Sequence, residues 1–123
     1  MDRTRRVVIT GMGALAPNGN TAEGFWQALC NGENGIDFIT KFDATDFRVR
    51  FAGEVKGFDP EACGIDRRSQ RRMDWFTQYA VASSLQAVQD AGLDMEAENV
   101  DRIGVVYGSG IGGIKTFEDQ HDA

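Results

Sequence analysis

Residues 103–113 read IGVVYGSGIGG, and this stretch decides the fold class of the chain. Its first part, the apolar run Ile103–Tyr107, is typical of a strand buried on both faces of a parallel sheet, and a glycine-rich turn follows it directly. Near the start of the chain, the predicted strand Arg5–Thr10 carries a similar β-branched run and leads into Gly11 and Gly13. Two such strands, each followed by a turn and a helix, predict an α/β fold with a mostly parallel sheet.

A helix is predicted after the first glycine turn. Asn20 is expected to cap it, Glu23 to complete a capping-box-like pair, and Gly32 to end it. The apolar residues at helical spacing are Ala22, Phe25, Trp26, Leu29 and Cys30. They form one face of the helix, so we expect Cys30 to be buried against the core.

The middle of the chain predicts a short strand and then a central helix. Alternating residues from Phe47 to about Val55 indicate a half-exposed strand, and the preceding residues 36–46 look irregular. A helix from about Met73 to Ala91 is apolar most of the way round and rich in small residues, which favour close approach to a neighbouring element. Gly92 should stop this helix, and a last helix should begin near Gly112.

Composition excludes several classes of partner. The chain has 123 residues, with 13 Lys and Arg against 19 Asp and Glu, for a net charge of −6. This acidic balance argues against nucleic acid or an anionic membrane as a general partner. No apolar run approaches the roughly 20 residues of a spanning helix, and no targeting segment is recognisable. Cys30 and Cys63 are expected to be free thiols in a cytoplasmic protein.

The predicted elements do not complete a parallel sheet. Such a sheet needs cover on both faces, and this sequence offers two core strands and one very apolar helix. We therefore expect the chain to be a fragment of a longer protein, and to behave poorly in isolation because the helix Met73–Ala91 lacks its cover.

The glycine turn Gly108–Gly113 has three interpretations. It fits GxGxxG after a strand, as a dinucleotide-binding turn requires. It also fits a strand-to-helix turn that packs closely, or the wall of a narrow apolar channel with Ile111 as its one bulky residue. A Walker A site is excluded because Ile114 separates Gly113 from Lys115.

A basic cluster precedes the central helix. Arg67, Arg68, Arg71 and Arg72 are four of the 13 cations, within six residues. Arg68, Arg71 and Arg72 have the i, i+3, i+4 spacing of one helix face. They form either a solvated face or a site for a phosphate or an acidic protein surface.

Catalytic residues are not recognisable in the chain. The only histidine is His121, and neither Cys30 nor Cys63 has a histidine nearby in sequence. Nothing in the sequence indicates that either thiol is activated, and no spacing predicts a metal site.

Several motifs in order resemble those of a known family. They are Val7–Gly13, Pro17–Thr21, Trp26–Leu29, Gly35-Ile36, Phe51–Val55, Arg71–Ala80, Asp90–Leu93, Arg102–Gly104 and Gly108–Gly113. Together they span essentially the whole chain. The sequence resembles the N-terminal part of the β-ketoacyl-(acyl carrier protein) synthase II family, the condensing enzymes of bacterial type II fatty acid synthesis.

The resemblance implies a thiolase-like fold, layered α-β-α-β-α, in a cytoplasmic homodimer. Residues 1–123 would form part of its N-terminal half. The implied activity is an acyltransferase reaction without a cofactor, in which malonyl-carrier protein undergoes decarboxylative Claisen condensation with an acyl-enzyme thioester. The catalytic Cys, two His and Lys of the family lie C-terminal to this sequence, so none is assigned here and the isolated chain is expected to be inactive.

The resemblance also implies two sites. Arg68, Arg71 and Arg72 match the docking patch for acyl carrier protein with its acyl- or malonyl-phosphopantetheine arm, and Arg67 adjoins that patch. Gly110 and Ile111 match the turn that lines the acyl pocket near the dimer interface, where Ile111 would limit chain length. The alternatives are a non-catalytic fragment that binds the carrier or a partner subunit, a nucleotide-binding module at residues 108–113, and a polyketide ketosynthase.

Overall fold

The computed structural model describes residues 6–122, in which helices are the main regular elements. In chain order the elements are α1 (Ala22–Cys30), β1 (Ile36–Phe38), β2 (Phe51–Gly53), α2 (Arg67–Gln70), α3 (Trp75–Asp90), a 3₁₀ turn (Val100–Arg102) and α4 (Ile114–His121). None of these helices is long and apolar enough to cross a lipid bilayer.

Helix α1 forms where the apolar spacing predicts it, but its cap is displaced by one residue. Thr21 is the N-cap, and its Oγ1 accepts a hydrogen bond from the Gly24 amide at 3.0 Å. The prediction of Asn20 was wrong because its side chain has a tertiary partner, donating from Nδ2 to the Lys56 carbonyl oxygen at 2.8 Å. Gly32 follows the helix with φ +69°, the left-handed conformation that glycine adopts without strain.

Helix α3 is the central element, as its composition predicts, and the segment 11–20 lies along it. A Cβ atom at Gly13 would lie 1.9 Å from the Ser83 carbonyl oxygen, and one at Gly11 would lie 2.3 Å from the Ala87 carbonyl oxygen. The two backbones approach this closely only because glycine faces small residues of the helix. Gly11 and Gly13 therefore allow the segment to pack closely against the helix.

Side chains of α3 also bond the backbone of the segment 11–20. Asp90 Oδ2 accepts from the Met12 amide at 2.8 Å, and Gln86 Oε1 accepts from the Ala14 amide at 3.1 Å. Gln86 Nε2 donates to the Asn20 carbonyl oxygen at 2.8 Å. The segment 11–20 thus covers one face of α3. Ala82 of this helix is fully buried.

The strands form a single antiparallel pair in the described region. Ile36 pairs with Gly53 and Phe38 with Phe51, and the Ile39 amide extends the pairing to the Arg50 carbonyl oxygen at 2.9 Å. The predicted strand from Phe47 to Val55 is therefore shorter than expected. Residues 36–46, expected to be irregular, supply the partner strand β1.

The two predicted parallel strands are not formed by the described residues. Residues 6–10 and 103–107 have no strand assignment, and Val7 and Val106 are 90% and 100% exposed. Arg5, the first residue of the predicted strand, lies outside the described range. A parallel strand needs another strand as hydrogen-bond partner, and residues 6–122 supply only the β1–β2 pair. The expectation of a parallel sheet is thus not met within these residues.

Candidate functional site

Helix α2 places the arginine cluster at the surface. Asp66 caps it, and its Oδ1 accepts from the amides of Arg68 at 2.9 Å and Ser69 at 3.0 Å. Ser69 Oγ donates to Asp66 Oδ2 at 2.6 Å, and this hydrogen bond is the main cause that lowers the pKa of Asp66. The cap therefore stays ionised at neutral pH and stabilises the first turn of α2.

The four arginines span the end of that helix. Helix α2 stops at Gln70 and Arg71 is its C-cap, so the helix is shorter than the i, i+3, i+4 spacing suggests. Arg71 keeps helical backbone angles, with φ −66° and ψ −14°, and the Arg72 amide bonds the Ser69 carbonyl oxygen at 3.0 Å. Arg68, Arg71 and Arg72 consequently follow one tight, continuous turn.

The charges of this cluster differ in their partners. Arg67 forms an ion pair with Glu61. Within residues 6–122, no carboxylate pairs with Arg68, Arg71 or Arg72, and all three are exposed. Three exposed guanidinium groups within five residues of sequence are thus free to bind an anionic partner.

The glycine turn Gly108–Gly113 leads into α4 and depends on glycine at two positions. Gly112 has φ +77°, and its amide donates to Ser109 Oγ at 3.0 Å. A Cβ atom at Gly113 would lie 1.8 Å from Asp74 Oδ2. The turn therefore packs against the start of α3: glycine at position 112 permits the left-handed backbone, and glycine at position 113 leaves room for the Asp74 carboxylate.

Gly110 and Ile111 occupy the outer part of this turn. A Cβ atom at Gly110 would meet nothing within 4 Å, and Ile111 is 78% exposed. The described residues therefore do not enclose a pocket around Ile111. The assignment of both residues to an acyl pocket stays a prediction.

Asp74 joins the two candidate surfaces. It follows Arg72 by two residues, and its Oδ1 accepts a hydrogen bond from Thr116 Oγ1 at 2.5 Å, across 42 residues of sequence. The sequence alone does not reveal this pair, because an aspartate ahead of a helix predicts a cap and Thr116 lies in no recognisable motif. Arg71, Asp74 and Thr116 line one groove of about 710 Å³ between α2 and α4.

Cys30, Cys63 and His121 lie in separate parts of the described chain, namely α1, the loop before α2, and α4. Cys30 and Cys63 are free thiols, as predicted, but Cys30 is exposed and the expectation that it would be buried was wrong. Gly11–Ala14 line a groove with Ala22, Phe25, Trp26 and Leu29 but not with Cys30, the last residue of α1. Burial, and next the charge of Asp59, raise the pKa of Cys63, which keeps this thiol protonated. His121 is exposed at the end of α4, and residues 6–122 contain no cluster of metal-ligating side chains.

Comparison with known proteins identifies the family. The family model "Beta-ketoacyl synthase, N-terminal domain" matches residues 4–123. The chain is 52% identical over 119 residues to 3-oxoacyl-(acyl-carrier-protein) synthase 2 of Vibrio cholerae, covering 97% of this chain and 28% of that protein. It is 51% identical over 121 residues to the protein of the same name in Staphylococcus aureus, covering 98% of this chain and 29% of that protein.

A solved structure supports the same relationship. The ketosynthase/chain length factor of ishigamide is 38% identical to this chain and superposes with a TM-score of 0.68, over 75% of this chain and 23% of that one. The chain therefore belongs to the β-ketoacyl synthase family and matches its N-terminal domain. Nearly the whole of this chain is similar to proteins named 3-oxoacyl-(acyl-carrier-protein) synthase 2. It spans less than a third of the length of those proteins.

Proposed function

We propose that this chain is the N-terminal part of a 3-oxoacyl-(acyl carrier protein) synthase of type II fatty acid biosynthesis. The observation that carries the proposal is 52% identity, over 97% of the chain, to a relative of that name. The identity to the ishigamide ketosynthase/chain length factor is lower, at 38%.

The reaction has two stages in this proposal. A cysteine thiolate attacks the acyl thioester on the carrier protein, forming a new C–S bond as the old one breaks and releasing the phosphopantetheine thiolate. Malonyl-carrier protein then loses carbon dioxide, and the electron pair of the broken C–C bond forms a bond to the acyl carbonyl carbon. The cysteine leaves as thiolate. The cysteine, two histidines and a lysine for this chemistry are expected in the sequence that follows residue 123.

Residues 1–123 would contribute part of the N-terminal half of a thiolase-like fold, layered α-β-α-β-α, in a cytoplasmic homodimer. The exposed apolar segments 6–10 and 103–107 support this proposal. Val7 and Val106 are almost fully exposed, although their sequence is typical of strands buried on both faces. Strands supplied by the remainder of the protein would pair with both segments.

Arg68, Arg71 and Arg72 would bind the acyl carrier protein in the same proposal. Their support is geometric, since three exposed guanidinium groups follow one turn and have no carboxylate partner in the described region. An acidic carrier would supply those partners, and steering by opposite charges raises the rate of encounter. Gly110 and Ile111 would line the acyl pocket.

The test is a condensation assay on the complete synthase. Acyl- and malonyl-carrier protein should yield a 3-oxoacyl product and one equivalent of carbon dioxide. Reversing two charges, with Arg71→Glu and Arg72→Glu together, should raise KM for carrier-linked substrate by about tenfold or more. Pantetheine-linked substrates lack the acidic carrier, so their KM should hardly change.

Arg48→Glu, which reverses one charge where the test variant reverses two, is the control for the docking surface. Arg48 is an exposed arginine outside the cluster, so its reversal changes the net charge of the protein but not the proposed contact. An equal rise of KM for both substrate types would contradict docking by Arg71 and Arg72. Carrier binding without any condensation would favour a non-catalytic binding protein.

A further inference from the structure

The two aspartates that precede α2 and α3 are used differently. Both lie at the N-cap with extended backbone angles, and Asp66 accepts from two amides of its own helix. Asp74 makes no such cap hydrogen bond. Its carboxylate accepts from Thr116 Oγ1 instead, so a group that ordinarily stabilises its own helix is committed to α4.

Both oxygens of Asp74 face the region where the glycine turn becomes α4. Oδ1 accepts the hydroxyl of Thr116 at 2.5 Å, and Oδ2 occupies the space that a side chain at Gly113 would fill. The ring of Phe76 lies beside the same turn, 3.8 Å from the position of a Cβ atom at Gly112. The start of α3 is therefore the surface on which the turn rests.

The bond between Thr116 and Asp74 is unique in the described part of the chain. Every other hydrogen bond made there by residues 103–122 joins residues at most four positions apart in the sequence. Within residues 6–122 few contacts hold the Ile111 side chain itself, since it is 78% exposed. Its position in this part of the chain follows from the turn, which is bonded to Asp74 and packs beside Phe76.

We propose that Asp74 and Thr116 are positioning residues, whose hydrogen bond holds the glycine turn and thereby sets where Ile111 stands against the acyl chain. This inference rests on the proposed function, in which Ile111 lines the acyl pocket. Asp74 lies two residues after Arg72, so the carboxylate that holds the turn is close in sequence to the proposed docking arginines.

Thr116→Val in the complete synthase is the main test, because it keeps the shape of the side chain and removes the donor. The ratio of kcat/KM for a long acyl substrate to that for a short one should change by about fivefold, the effect of one modest hydrogen bond. Thr116→Ser restores the hydroxyl and should restore the ratio. An unchanged ratio in Thr116→Val would overturn the proposal.

Thr45→Val is the matched control. Thr45 Oγ1 donates to Asp43 Oδ1 at 2.6 Å, so the variant removes the same kind of bond far from the turn along the chain. It should leave the ratio unchanged. In an Ile111→Ala background, Thr116→Val should lose most of its effect, because positioning acts only through the Ile111 side chain. If Thr116→Val changed the ratio by the same factor in both backgrounds, the proposal that it acts through Ile111 would be overturned.

Amide hydrogen exchange separates failure of this inference from failure of the proposed function. An unmodified synthase that condenses no acyl substrate contradicts the proposed function, whatever Thr116 does. Exchange at residues 108–113 should still be about fivefold faster in Thr116→Val than in the unmodified protein or in Thr45→Val. Equal exchange in all three would overturn the anchoring role of Asp74 and Thr116.

Discussion

Two regions with strongly apolar or glycine-rich sequences differ in how far they are packed. One is helix α3 with the segment 11–20, and the other consists of the apolar segments 6–10 and 103–107. The first region is closely packed, with Ala82 fully buried and three side-chain hydrogen bonds between helix and segment. The second region leaves Val106 fully exposed. A helix satisfies its backbone by itself, whereas a strand needs a second strand for every hydrogen bond. Only the first kind of element completes itself within this chain.

Gly13→Val should break the packed region most severely. Its Cβ atom would lie 1.9 Å from the Ser83 carbonyl oxygen, so the segment must move off the helix. We expect a loss of about 3 kcal/mol in the free energy of unfolding, as for severe overpacking, measured by urea titration followed by circular dichroism. In this chain by itself Gly104→Val is the control, because nothing lies within 4 Å of its Cβ position. Equal losses in both variants would contradict the packing role of Gly13.

Gln86→Leu should weaken the same contact without a clash. The amide of Gln86 serves both the Ala14 amide and the Asn20 carbonyl group, and the leucine leaves both backbone groups without that partner. The expected loss is about 2 kcal/mol of unfolding free energy. Gln89→Leu, an exposed position on the same helix, should change stability little. A smaller loss in Gln86→Leu than in Gln89→Leu would show that the segment is held in another way.

Ile111→Phe tests an exposed position of the glycine turn. The residue is 78% exposed in this chain, so the stability of the chain should change by less than about 0.5 kcal/mol. In the complete synthase the larger ring should shorten the preferred acyl chain, read from the product profile. An unchanged profile would contradict the proposed place of Ile111 in the acyl pocket.

Ser69→Ala should produce the smallest effect, a shift in the pH response of α2. The Ser69 hydroxyl is the main cause that lowers the pKa of Asp66 below its ordinary 3.8. The contribution of the Asp66 cap is therefore complete above that pH and is lost as the pH falls through the lowered pKa. In Ser69→Ala the loss should begin at higher pH, seen by NMR titration of the Asp66 carboxyl carbon. Coincident titration curves would contradict the role of Ser69.

Part of the candidate site could be predicted from the sequence. The spacing of Arg68, Arg71 and Arg72 indicates a cluster of cations, and the glycine pattern indicates a turn that opens a helix. Both features are local and follow from neighbouring residues. The link through Asp74 and Thr116 could not be predicted, because it joins residues 42 positions apart and replaces the cap that a local pattern suggests.

The helices and the family could be recognised from the sequence. Helices α1 and α3 lie close to where periodicity and the stop signals at Gly32 and Gly92 predict them, and α4 begins just after Gly112, since helical hydrogen bonds join near neighbours. The hydrogen-bond partners of some polar side chains could be known only from the tertiary structure. It moved the α1 cap to Thr21 by giving Asn20 a distant partner, and it turned Asp74 toward Thr116. Side chains with two possible partners are assigned by the fold, because only the fold determines which partner is within reach.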